Sequence, residues 1–140
     1  IWQVGLKNYD YIYSEINSSN VDIYDFIDDI GSYISASDLI ISRAGALTLS
    51  ELSYFGKPLL LIPFPYASQN HQFLNANYYK KNDAAILFEE SSMDGDTLIK
   101  ILLKLMRNTK KLNSLACNIE KISRPDAANT INNRILRLAN

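Results

Sequence analysis

The chain of 140 residues has one cysteine, Cys117, and one histidine, His71. That excludes a disulfide within the chain and leaves too few soft ligands for a zinc site. A reducing cytoplasm suits such a composition. No apolar run approaches the roughly 20 residues needed to span a bilayer, and residues 1–20 lack the basic and apolar regions of a secretion signal. An excess of either charge is missing too. Fourteen basic against fifteen acidic residues leave a net charge of −1, so there is no general electrostatic footprint for nucleic acid or an anionic membrane. The five glycines form neither Gly-x-Gly-x-x-Gly nor Gly-Lys-Ser/Thr, which excludes a dinucleotide fingerprint and a Walker loop. A phosphate ligand must therefore be bound locally. An initial methionine is also absent: the chain starts inside the apolar segment Ile1-Trp2-Gln3-Val4-Gly5 and reads as a fragment or excised domain.

A hydrophobic content of 47% over this length is enough for one domain with a real core and too little for two sizeable ones. We read residues 1–140 as that single domain, with no repeats, low-complexity tracts or linkers. Strand-like runs fall at 1–4, 21–24, 39–41, 59–62 and 84–88, each followed by a helical pattern. The alternation predicts an α/β fold, a Rossmann-like parallel sheet with helices on both faces. Residues 39–41 read as a strand covered on both faces, and 59–62 as the central one. Tyr9, Ile12, Tyr13 and Ile16 share a helical face, and residues 17–20 make a polar turn. Further helices are expected at about 29–36, 70–81, 94–107, 112–122 and 126–138, the last opened by Pro125. Lys100, Lys104 and Arg107 form a solvated basic face, and Cys117 reads as a small buried hydrophobe.

The chain is organised around residues 38–51, where a strand gives way to a helix. Gly45 lets the backbone turn tightly and lets another group approach closely. From Ala46 the spacing of Leu49, Leu52 and Phe55 is helical. The first helical N–H groups, at Ala46, Leu47 and Thr48, point outward with the helix dipole behind them, a ready site for phosphate. Glu51 lies about one turn further on and leans back towards that end, placed to accept hydrogen bonds from hydroxyls of the same ligand. A second reading stands beside this one: Thr48, Ser50 and Glu51 also suit an ordinary first turn that binds nothing.

Two other polar clusters follow strand ends. In residues 25–30, either Asp28 or Asp29 caps the next helix while Phe26 and Ile30 pack, or the loop presents apolar side chains and backbone to a flat ring. In residues 69–72, His71 and Gln72 are either surface polar residues or hydrogen-bonding partners for sugar hydroxyls. Convergence of all three clusters at strand C-terminal ends would make a site of nucleotide-sugar size.

The same residues carry a resemblance. Phe26-Ile27-Asp28-Asp29, the run from Ser42 to Thr48 with Ser50-Glu51, Gly56-Lys57-Pro58, Pro63 with Asn70-His71-Gln72 and Asn75-Ala76, and Pro125-Asp126-Ala127-Ala128 resemble, in order and spacing, the C-terminal half of the MurG family. These are bacterial UDP-N-acetylglucosamine (UDP-GlcNAc) transferases that convert lipid I into lipid II. The resemblance implies half of a GT-B glycosyltransferase, the half that holds the UDP-sugar donor. It implies that the Ile27 backbone meets uracil and that Glu51 holds the ribose hydroxyls. Gly45, Ala46, Leu47 and Thr48 would stand at the diphosphate, and His71 and Gln72 would face the GlcNAc hydroxyls. Some members have Gln-Gln at that last pair, so His71 is a departure or a subfamily variant. The reaction implied is inverting, with no required metal or cofactor. Lipid I and the membrane would be met through an N-terminal half absent from this sequence, at the cytoplasmic face of the bacterial inner membrane. No catalytic residue is assigned, and the chain alone is expected to be inactive. The alternatives are a stand-alone donor subunit of a eukaryotic two-component UDP-GlcNAc transferase, or a non-catalytic nucleotide-binding module.

Overall fold

The computed structural model describes residues 1–16, 18–92 and 94–139. Residue 17, where the expected polar turn begins, lies outside the described residues. Two compact units divide the chain, Ile1–Tyr33 and Ile34–Asn140.

In the first unit, β1 (Trp2–Gln3) pairs in parallel with β2 (Ile23–Tyr24), Trp2 opposite Ile23 and Gln3 opposite Tyr24. Between them runs α1 (Tyr9–Glu15). Its expected inner face is only partly realised. Tyr9, Ile12 and Ile16 are half-buried, whereas Tyr13 is exposed and stacks on Tyr9 at 5.5 Å. Asp29 accepts from the Ser32 amide at 3.3 Å and its hydroxyl at 2.5 Å, capping α2 (Ile30–Ala36), so the capping reading of that loop holds. Its packing does not: Phe26 is 66% exposed and Ile30 44%, and the residue that goes inside is Ile27, at 7%.

The second unit carries three parallel strands in the order β3 (Ile40–Ser42), β4 (Leu59–Leu61) and β5 (Ala85–Leu87). Leu60 stands in register between Ile41 and Ile86. Alternation along the central strand explains the layering, because successive side chains leave opposite faces. Leu59 and Leu61 join a core with Leu49 and Leu52 of α3 (Ala46–Tyr54), Ala76 of α4 (His71–Lys81) and Ile119 of α6 (Thr109–Ile122). Leu60 and Ile62 join another with Phe88 and Leu105, where α5 (Gly95–Met106) covers the sheet with Leu98, Ile101 and Leu102. Helices therefore lie on both faces of this sheet, as the alternating pattern predicts.

Every strand pair among the described residues is parallel, as expected, in one group of two strands and one of three. Other expectations are corrected. β3 is an edge strand of its sheet and leaves Ile41 47% exposed, so it is not covered on both faces. Cys117 is exposed. It sits two residues beyond Leu115, which is fully buried with Ile119, and a two-residue step on a helix turns a side chain to the opposite side. α6 starts three residues earlier than its apolar spacing suggests, because Asn108 accepts from the Lys111 amide at 2.9 Å and caps it. α7 (Ala127–Leu138) has Asp126 as its N-cap, which places Pro125 just before the helix, not within its first turn.

Candidate functional site

The β3-to-α3 junction in the second unit holds most of the expected site residues. Gly45 is the N-cap of α3 with φ −66° and ψ 142°, extended backbone that any residue adopts. The expected tight, glycine-requiring turn is therefore absent. A Cβ at Gly45 would meet only Thr48 Oγ1, at 3.6 Å, so what the glycine provides is open space in front of the helix. No side chain caps α3. The first intrahelical bond runs from the Leu49 amide to Gly45 O at 2.9 Å, and the amides of Ala46, Leu47 and Thr48 precede it at the positive end of the dipole. Leu47 is 75% exposed. Thr48 and Glu51 are exposed as well.

Two concavities run beside this helix. One of about 320 Å³ is lined by Ala46, Ser50, Asn75 and Arg124 among others. A second, of about 290 Å³, has Glu51 and Tyr54 on one wall and Arg124 and Pro125 on the other. Arg124 lines both, which puts a cation in the same concavity as Glu51, and the sequence reading passed over it. Nothing in its local pattern marks it, since it becomes part of the site only through the packing of α3 against α6.

The loop after β4 brings up the second cluster. Gln69 and Asn70 both take left-handed backbone, φ 50° and 55°, at the entry to α4. Such conformations are costly for residues other than glycine and concentrate where the surroundings hold a loop in one shape. His71 Nδ1 lies 2.7 Å from Ser68 O. A carbonyl only accepts, so Nδ1 carries the proton and Nε2 is the nitrogen left for another partner. Gln72 faces inward with its oxygen: Oε1 accepts from the Ala44 amide at 3.2 Å and the Phe64 amide at 3.0 Å. Asn75 Nδ2 donates to Ala44 O at 3.0 Å. The structure thus ties Gln72 to the α3 junction, and α4 holds the backbone of Ala44, itself fully buried, from both its amide and its carbonyl.

Ile27 belongs to the first unit. Its side chain is buried, and its amide donates to Gln3 Oε1 at 3.2 Å. Gly45, Ala46, Leu47, Thr48, Glu51, His71 and Gln72 are in the second.

Residues 1–131 match the family described as glycosyltransferase family 28 C-terminal domain. Among curated relatives, a protein of Chlorobium limicola is 36% identical over 140 residues, covering 99% of this chain and 38% of its own length. One of Listeria monocytogenes is 39% identical over 116 residues, 82% of this chain and 32% of its own. Both are named UDP-N-acetylglucosamine–N-acetylmuramyl-(pentapeptide) pyrophosphoryl-undecaprenol N-acetylglucosamine transferase. The chain thus spans about a third of the length of these relatives. The crystal structure of Acinetobacter baumannii MurG superposes with a TM-score of 0.87 at 27% identity, over 96% of this chain and 40% of that one. The spinosyn forosaminyltransferase SpnP, at 16% identity and a TM-score of 0.59, shares the fold.

Proposed function

Because the chain belongs to the glycosyltransferase family 28 C-terminal domain family, we propose that it is the donor-binding part of a transferase that moves GlcNAc from UDP-GlcNAc to lipid I, forming lipid II. The observation that carries this reading is the uncapped start of α3, with Glu51 one turn further along the same helix. Phosphate oxygens meet the Ala46, Leu47 and Thr48 amides while the carboxylate accepts from the ribose hydroxyls. Open space at Gly45 admits the diphosphate. His71 Nε2 and the Gln72 side-chain amide face the GlcNAc hydroxyls, one accepting and the other donating. The backbone of Ile27 meets the uracil, for which its amide must exchange Gln3 for the base. On this reading residues 1–140 act together as one donor domain.

The chemistry is an inverting displacement. A lipid I hydroxyl attacks the anomeric carbon, the bond to the diphosphate breaks, and UDP leaves with the electron pair. Helix amides and dipole stabilise the charge that develops on the diphosphate, the role a metal ion plays in other transferases. The hydroxyl proton passes to a general base, a role to which no residue of this chain is assigned. We place lipid I and the membrane contact with a further N-terminal half, which makes the whole enzyme peripheral at the cytoplasmic face of the inner membrane. Within the described residues no helix is long and apolar enough to cross a membrane.

Calorimetric titration with UDP-GlcNAc, UDP-GalNAc and UDP, on wild type and Glu51→Ala in the full-length protein, tests this. The expected result is preference for UDP-GlcNAc over its C4 epimer and loss of binding in Glu51→Ala at unchanged melting temperature. A folded wild type that binds none of the three overturns the proposal.

A further inference from the structure

Arg43 follows β3 directly and precedes the buried Ala44. Its Nη1 donates to Ile62 O at 3.3 Å and to Pro63 O at 3.2 Å, both in residues that leave β4. The same nitrogen pairs with Glu90 Oε2, beyond the end of β5. The guanidinium carbon lies 5.6 Å from the centroid of the Phe64 ring. One side chain therefore joins the segments that follow all three strands of the sheet. Three acceptors converge on a nitrogen with two hydrogens, so one hydrogen is shared, and the Phe64 ring lies within cation–π reach of the guanidinium.

An exposed ion pair alone contributes little to stability, and the Arg43 side chain is 47% exposed. What sets this one apart is where its acceptors lie. The Phe64 amide beside it and the Ala44 amide next in sequence share Gln72 Oε1, so Arg43 and Gln72 close one hydrogen-bonded circuit around the junction that aims the α3 amides. We infer that Arg43 is a positioning residue: it fixes the loops after β3, β4 and β5 against one another and so sets the direction of the Ala46, Leu47 and Thr48 amides, without touching the donor. The part of this inference that concerns the donor rests on the proposed function; the part that concerns the loops does not.

The test uses Arg43→Gln, Arg43→Lys and Glu90→Gln in the full-length protein. Amide hydrogen exchange without ligand is followed at residues 44–48 and 62–72, together with UDP-GlcNAc affinity and steady-state kinetics. Arg43→Gln is expected to speed exchange in both segments and to raise Kd and KM for the donor about 10-fold, with kcat changed less, the scale of effect expected when site geometry loosens. Arg43→Lys, which keeps the charge without the fork, restores part of the affinity, and Glu90→Gln moves every readout in the same direction as Arg43→Gln, by less. Should Arg43→Gln fail to fold, Glu90→Gln decides on the same readouts. Lost donor affinity with unchanged exchange would mean that Arg43 touches the donor itself, and no change in any readout would reduce it to a surface ion pair. Either overturns the inference. A wild type that binds no nucleotide sugar would defeat the proposed function, while the exchange comparison still decides whether Arg43 holds the loops.

Discussion

Gln72 holds the amide of Ala44 at 3.2 Å through a side-chain oxygen that also accepts from Phe64. The oxygen is thereby committed to the fold, and only the Nε2 donors remain for a ligand. Two substitutions separate these uses. Gln72→Ala strands the amide of a fully buried residue and is expected to cost about 1–3 kcal/mol of stability as well as donor affinity. Gln72→Glu keeps an acceptor for both amides and removes the donors, so it is expected to unfold near the wild-type urea midpoint while losing affinity for UDP-GlcNAc. Equal destabilisation by the two would count against this division of labour.

Gly45 and Gly56 make a second contrast. At Gly45 the backbone is extended and a Cβ has ordinary contacts, so the gain of about 0.4–1 kcal/mol that alanine brings through the unfolded chain is offset by its being a poorer helix N-cap than glycine, and Gly45→Ala is expected to change stability little. It should nonetheless weaken UDP-GlcNAc binding, because the added methyl stands before the helix start. At Gly56, φ is +61° and a Cβ would come within 3.1 Å of Glu120 Oε1. The left-handed backbone alone costs a non-glycine residue about 1–2 kcal/mol, so Gly56→Ala is expected to lower the melting temperature. Thermal scans and titrations of both variants check the pair.

The helix caps give a pH dependence. Asp94 accepts from the Thr97 amide at 2.6 Å and its hydroxyl at 2.7 Å, and these bonds hold its carboxyl below the ordinary range. Asp29 is lowered in the same way, by the Ser32 hydroxyl first and then the Ser32 amide. A carboxyl that is more acidic folded than unfolded stabilises the fold above its unfolded pKa of about 3.9 and loses that contribution as pH falls through the lower folded value. Asn also caps helices but does not ionise. The double variant Asp29→Asn, Asp94→Asn is therefore expected to lose less stability than wild type as acid is added below about pH 4. Denaturation midpoints across that range check the slope, and identical slopes would contradict it.

What could be read from the sequence is what local pattern determines. The run 59–62 announced a central strand because both its faces are covered, and both cores meet on it. The start of α3 was legible because a strand, a glycine and a helical spacing of leucines follow one another within a few residues. What escaped depends on distance in sequence. Arg43 reaches Glu90 across 47 positions and Gln72 reaches Ala44 across 28, and neither spacing leaves a trace in the local pattern. Cys117 was misplaced for a different reason: small apolar residues are usually buried, and only the helical phase of Leu115 and Ile119 shows that this one faces out. Of the two roles expected of Gly45 only one holds: the tight turn is absent because the backbone is extended, while the room for another group to approach follows from the missing side chain.

The central claim is that the start of α3 receives the donor diphosphate. The most direct measurement is the backbone amide NMR shifts of Ala46, Leu47 and Thr48 as UDP-GlcNAc, UDP and uridine are added in turn to the labelled full-length protein. The account predicts large shifts at these three amides with UDP-GlcNAc and UDP and small ones with uridine, which has no phosphate. Saturable binding of UDP-GlcNAc that leaves all three amides unmoved would contradict it.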